Sequence, residues 1–196
     1  MSQESFFYTY YLTFYSLISY HSLYAINNYG FSNNIYQIVD PFDYYPLVLT
    51  TCAFLSTDLI YKYFYHPRNT MYYALFVHHI ISLLGYYLTL HYQLAQTVIC
   101  NLSLFELSSI PLLFYSRKQL IEITLPLTWI TFFLVRIIWG NYIILDSLNQ
   151  LRHVDFPIII TLMVNGCHGF FLLANNYWFF KLTTHLRKWS PHSLPH

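Results

Sequence analysis

"ALFVHHIISLLGYY" (residues 74–87) sets two adjacent histidines, His78 and His79, into a run that is otherwise apolar, small or aromatic. Its reading depends on the solvent around it. The 196 residues are 56% hydrophobic, 21% aromatic and 9% charged, whereas a soluble domain has roughly 25% charged residues with which to cover its surface. Lipid is therefore the expected solvent. A helix crossing the ~30 Å of hydrocarbon needs about 20 largely apolar residues, and six stretches qualify: about 6–26, 44–65, 71–92, 94–115, 120–147 and 157–183. Turn chemistry separates them: "NNYGFSNN" with "DPFD", "HPRN", a tight break around "HYQ", "SRKQ" and "NQLRHVDFP". Backbone polar groups exposed to lipid must be satisfied internally, so an all-α integral membrane bundle of six helices is expected, with residues 1–196 as a single domain.

Charge orients the bundle. Of the nine Lys and Arg residues, Lys62, Arg68, Arg117, Lys118, Lys181, Arg187 and Lys188 fall on one side of the six spans, Arg152 falls on the other, and Arg136 lies within a span. The excess places both termini in the cytosol. Tyr61, Tyr63, Tyr65, Tyr72, Tyr73, Tyr115 and Trp178 gather at the same span ends, where amphipathic rings prefer to sit. The first residues, "MSQESFFYTYYLTFYSL", carry no Lys or Arg ahead of the apolar stretch and do not read as a secretory signal peptide. A net charge of +1 without a basic run gives a nucleic-acid partner no support. Cys52, Cys100 and Cys167 stand at wide spacing in apolar runs and suit small buried residues better than a metal knuckle.

Ionisable side chains at membrane depth usually face the bundle interior and mark a site or a structural pair. Counting ~1.5 Å per residue from the cytosolic span ends, Asp58, His78, His79 and Glu106 fall at roughly 10 to 13 Å, so three successive spans feed one layer. Arg136, His21 and His168 come out at roughly 20 Å or more, in a second layer nearer the lumen. Ser82 lies one turn beyond the histidine pair, followed by Gly85, Tyr86 and Thr89, while Ser103, Glu106 and Ser109 recur at steps of three on the next span. Two polar stripes on adjacent antiparallel helices can meet across a cavity. Simpler roles exist for several members. Asp58 precedes Lys62 by four residues, a spacing that suits a helix-surface ion pair, Glu106 can hydrogen-bond a neighbouring helix, and polar residues can serve as glue between membrane helices. No metal is expected, because within the six spans the histidines form neither HxxxH nor HxxHH. General-base or nucleophilic work suits the pair better, with neutral imidazole as the active form.

The histidine pair early in one span, "FELSS" with Glu106 in the next, "TFFLVR" ending at Arg136 in the fifth and "NNYWFFKL" in the last, together with "SYHSLYAI" around His21 and the segment from Asp58 to Arg68, resemble the TLC domain. That family takes in translocating-chain-associated proteins, ceramide synthases and a neuronal-ceroid protein. The resemblance implies a six-helix bundle or barrel around an interior cavity open to lipid, resident in the endoplasmic reticulum or another endomembrane. In ceramide synthases the pair serves acyl transfer from an acyl-CoA, and by resemblance His78 and His79 take its place. Glu106 is the only acid in "CNLSLFELSS", so most of the synthase signature is missing, and the chain is more similar to the small TLC-only proteins.

The first expectation is accordingly a multi-pass protein of lipid metabolism, lipid binding or membrane homeostasis, with membrane lipids and an acyl-chain ligand as partners and no bound cofactor. An acyltransferase acting on acyl-CoA is the second, with His78, His79 and Glu106 catalytic and Asp58, Ser82, Arg136, His168 and His21 lining the cavity. A trafficking adaptor without catalysis is the third. The N-x-S/T match at Asn101 falls inside a span and is expected to stay unglycosylated.

Overall fold

The computed structural model describes residues 3–30, 34–65, 70–116 and 120–188. Six helices account for the spans: α1 (Gln3–Tyr29), α2 (Pro41–Tyr65), α3 (Thr70–Tyr92), α4 (Gln96–Ser116), α5 (Ile121–Leu151) and α6 (Ile158–Lys188). Their ends lie within a few residues of the breaks read from the sequence, and no strand occurs among the described residues. The helices α4, α5 and α6 are both long and apolar enough to cross a membrane. The others have 27, 25 and 23 residues, and at ~1.5 Å per residue even the shortest exceeds ~30 Å.

Local chemistry fixes the junctions. Asp40 caps α2, its Oδ1 accepting the Phe42 N–H at 2.8 Å, and Pro41 takes the first helical position, where a missing N–H costs nothing. The hydroxyl of Tyr29 accepts the Asp40 N–H at 2.9 Å and donates to Asp43 at 2.9 Å, which ties the end of α1 to the start of α2. Between α3 and α4 the chain reverses through Gln93 (φ 50°) and Ala95 (φ 57°). The segment leading into α2 packs on that reversal: the Ala95 N–H donates to the Ile35 carbonyl at 2.7 Å, and Gln96 Oε1 accepts the Val39 N–H at 2.9 Å.

The main core lies where α1, α2, α3 and α4 converge. Ile18, Leu47, Phe54, Leu55, Tyr86 and Cys100 are buried there, and Phe54 sits among the rings of Tyr10, Tyr11, Phe14 and Tyr15. Outward-facing apolar residues such as Leu49, Leu162 and Leu173 are exposed, as expected of a lipid-facing surface.

Two helices depart from α geometry where they face each other. Pro111 in α4 has no N–H for the carbonyl four residues back and its ring crowds that carbonyl, and the preceding residues Leu104–Ser108 tighten into a 3-10 turn. Opposite it, Phe133–Trp139 of α5 widens into a π turn, with the Gly140 N–H reaching the Val135 carbonyl. π turns inside α-helices concentrate at functional sites.

Candidate functional site

Adjacent residues on a helix project about 100° apart, so the two histidines face different neighbours. His79, 6% exposed, turns toward α2: its Nδ1 comes within 3.1 Å of Asp58 Oδ2, yet forms no directed hydrogen bond, so the contact is electrostatic. Asp58 is 1% exposed. It also accepts from the Tyr11 hydroxyl of α1 and pairs with Lys62, itself buried. The i,i+4 pair anticipated on the helix surface therefore forms, but inside the bundle, because α1 lies over it.

His78 turns the other way, toward α6. Its ring centroid lies 5.3 Å from that of Phe171 and 5.7 Å from that of Trp178. Its Nδ1 is buried without a hydrogen-bond partner. It lines a chamber with Ser82, Tyr86, Ser103, Glu106 and Arg136. The hydroxyls of this chamber are already engaged. Ser82 donates to the His78 carbonyl at 2.8 Å, and Ser103 donates to the Ile99 carbonyl at 2.8 Å. Since Ser103 has a single hydroxyl hydrogen, Tyr86 must donate in their 2.7 Å contact.

Arg136 belongs to the same chamber, not to a deeper layer with His21 and His168. Helical side chains lean toward the helix N-terminus, which carries its guanidinium back from the π turn of α5 onto the 3-10 turn of α4. There Nε donates to Ser108 Oγ at 2.8 Å, and Nη2 donates to Ser109 Oγ at 3.0 Å and to the Phe105 carbonyl at 3.2 Å. The rings of Phe105 and Phe132 face the guanidinium carbon at 5.4 and 5.0 Å. Gly140 makes room for this arrangement, since a Cβ there would stand 2.4 Å from the Phe105 ring.

A second, apolar chamber adjoins the first, sharing Gly85, Ile99, Leu102 and Phe171 with it. Leu88, Val98, Ile144, Ile160 and Val164 line it, with His168 at its wall. His168 is held between α5 and α6, its Nδ1 donating to the Val164 carbonyl at 2.8 Å and its Nε2 facing Ser147 Oγ at 2.9 Å. Asp58 and His21 line neither chamber. Asp58 is shut off behind His79, and His21 lies against Tyr20 on α1. Among the described residues no three His, Cys, Asp or Glu side chains gather as metal ligands.

Comparison with known families agrees with this geometry: the family model of the TLC domain matches residues 4–184. The chain belongs to the TLC-domain family. No curated protein and no solved structure matches it. As a TLC-domain membrane protein it departs from the sequence reading mainly in the placing of Arg136 and Asp58. Phe105, Gly140 and Tyr11 escaped that reading. Gly140 alone left a signal, as a glycine inside a helical run, which marks close approach of another element.

Proposed function

We propose that this TLC-domain protein acts in lipid metabolism or membrane homeostasis by holding a single-chain lipid in its paired chambers, head group in the polar one and chain in the apolar one. The observation that carries the reading is the shared wall: Gly85, Ile99, Leu102 and Phe171 border both spaces, so one amphiphile can occupy the two together. From His78 to Tyr92 the helix α3 rises about 21 Å, a length suited to an acyl chain. The positive-side count supports cytosolic termini, which puts the polar chamber nearer the cytosol, and the family resemblance is the ground for an endomembrane such as the endoplasmic reticulum.

Gly85 offers the test. A Cβ there meets nothing within 4 Å, so Gly85→Leu should fold while filling the waist between the chambers. Binding of a radiolabelled fatty acyl probe to the purified protein should fall about ten-fold or more. Unchanged binding, with a wild-type thermal transition, defeats the reading.

A second reading, acyl transfer, is favoured by the unpartnered Nδ1 of His78 beside Glu106. In it the neutral imidazole attacks the thioester carbonyl of an acyl-CoA, the thiolate leaves and is protonated, and the acyl-imidazole passes its acyl group to an amine or hydroxyl whose proton the freed ring or Glu106 takes. Intact mass measurement after incubation with acyl-CoA should show an adduct that hydroxylamine removes and that the His78→Ala, His79→Ala double variant lacks. No adduct, with lipid profiles of expressing cells equal for wild type and variant, leaves lipid holding or an adaptor role without chemistry.

A further inference from the structure

We infer that Arg136 is the anchor for a carboxylate, making the chamber selective for a single-chain lipid with a compact anionic head, a fatty acid in its simplest form. This rests on the reading of the two chambers as a lipid site. Arg136 is 5% exposed, and among the described residues no carboxylate lies within 4 Å of it. A buried guanidinium without an anion is costly. Its five N–H groups are only partly used: Nε and Nη2 serve Ser108, Ser109 and the Phe105 carbonyl, while Nη1 makes no hydrogen bond among the described residues. The bonds it makes are all to neutral oxygens, and Glu106, on the same wall, acts on the charge across the chamber without an ion-pair contact, so the guanidinium has no anion bound to it.

The rest of the wall narrows the class of head group. Ser82, Ser103 and Tyr86 have spent their hydroxyl hydrogens on protein acceptors, which leaves His78 Nδ1, Arg136 Nη1 and the Glu106 carboxylate as the groups open to a ligand. One cation and one acid line this space. Lys62, also buried, is committed to Asp58. A monoanion can be met by Arg136 at one edge with His78 beside it. A phosphate dianion would face Glu106 with a single guanidinium to balance it, and a neutral head would leave the guanidinium unpaired. The two irregular turns supply the geometry: the 3-10 turn and the residue after it aim the Phe105 carbonyl and the Ser108 and Ser109 hydroxyls at one edge of the guanidinium, which fixes its plane and leaves the other edge for ligand.

The test compares three probes on the full chain in mild detergent and mildly alkaline buffer: palmitate, hexadecanol and lysophosphatidate, each competing for a radiolabelled fatty acyl probe. A charge-assisted hydrogen bond contributes about 1.5–3 kcal/mol, so palmitate should bind roughly ten-fold or more tighter than hexadecanol and tighter than lysophosphatidate. Arg136→Gln should erase that preference, and Arg136→Lys should keep part of it. Equal affinity of palmitate and hexadecanol for the wild type overturns the carboxylate assignment while the lipid site itself stands. So does tighter binding of lysophosphatidate, or a preference that survives in Arg136→Gln. Should no probe bind, the site reading falls with it. The wild-type comparison needs no variant to fold.

Discussion

Gly140→Ala tests the packing on which the polar chamber depends. The new Cβ would lie 2.4 Å from one atom of the Phe105 ring and 2.6 Å from another, against an optimal carbon separation of ~3.5–4.0 Å. The ring must therefore withdraw by roughly 1 Å. Phe105 is buried and its face is held by the Arg136 guanidinium at 5.4 Å, so that movement strains both. Overpacking of this kind costs about 1–3 kcal/mol, and disturbing the cation–π contact adds about 0.5–2 kcal/mol. Alanine returns about 1 kcal/mol through helix propensity. The balance is a loss of about 0.5–4 kcal/mol, readable as a lowered thermal transition of the purified protein in detergent and as weaker binding of the fatty acyl probe. Phe105→Leu in the same chain should recover much of the stability without restoring the probe affinity, since it clears the clash and removes the ring under Arg136. If Gly140→Ala alone is as stable as the wild type and binds as well, the close approach of α4 and α5 at this point is refuted.

Asp58→Asn strips the buried Lys62 of its counter-charge and should destabilise by about 3–5 kcal/mol, while adding Lys62→Met should restore most of the loss; equal melting of the single and double variants would count against a buried pair. A glycosylation-acceptor tag placed after His196 should remain unmodified in cells, as cytosolic termini require, and modification of the tag would reverse the orientation. Asn101, 1% exposed with its side-chain nitrogen donating to the Thr97 carbonyl at 2.8 Å, should carry no glycan, so a glycosidase-sensitive shift in gel mobility of the wild type would overturn the placing of α4.

The extent of each helix was legible in the sequence because the two constraints that set it, apolar length and turn chemistry, are local. "DPFD" reads as turn chemistry, and the boundary does lie there, three residues earlier than the apolar run suggests, with Asp40 as cap and Pro41 as the first residue of α2. "HYQ" reads as a very tight break, and the chain does turn there, through two left-handed residues. What sequence could not supply was the lateral arrangement. Spacing paired Asp58 with Lys62, but only the approach of Tyr11 from α1 makes the pair an interior one. Arg136 was misplaced because depth was counted along the backbone, while its side chain runs back toward the helix start and reaches Ser108 and Ser109. Arg68, Arg117 and Lys118, on which the orientation count also rests, lie outside the described residues.

The irregular turns of α4 and α5 explain why this bundle has a polar interior at all. Two regular helices in close contact satisfy their own backbones and offer a cavity only side chains. Here Pro111 disrupts one ladder and the π turn widens the other, so carbonyls and hydroxyls of α4 become acceptors for a charge carried on α5. In hydrocarbon, irregular backbone is tolerated where it is buried in protein or lines a cavity, and this pair does both. The histidines then divide the labour of α3. His79 packs toward α2 against Asp58, and His78 faces the space that Arg136 and Glu106 share. Replacing either histidine should therefore give different phenotypes: loss at His79 disturbs the packing of α1, α2 and α3, and loss at His78 changes what the chamber holds.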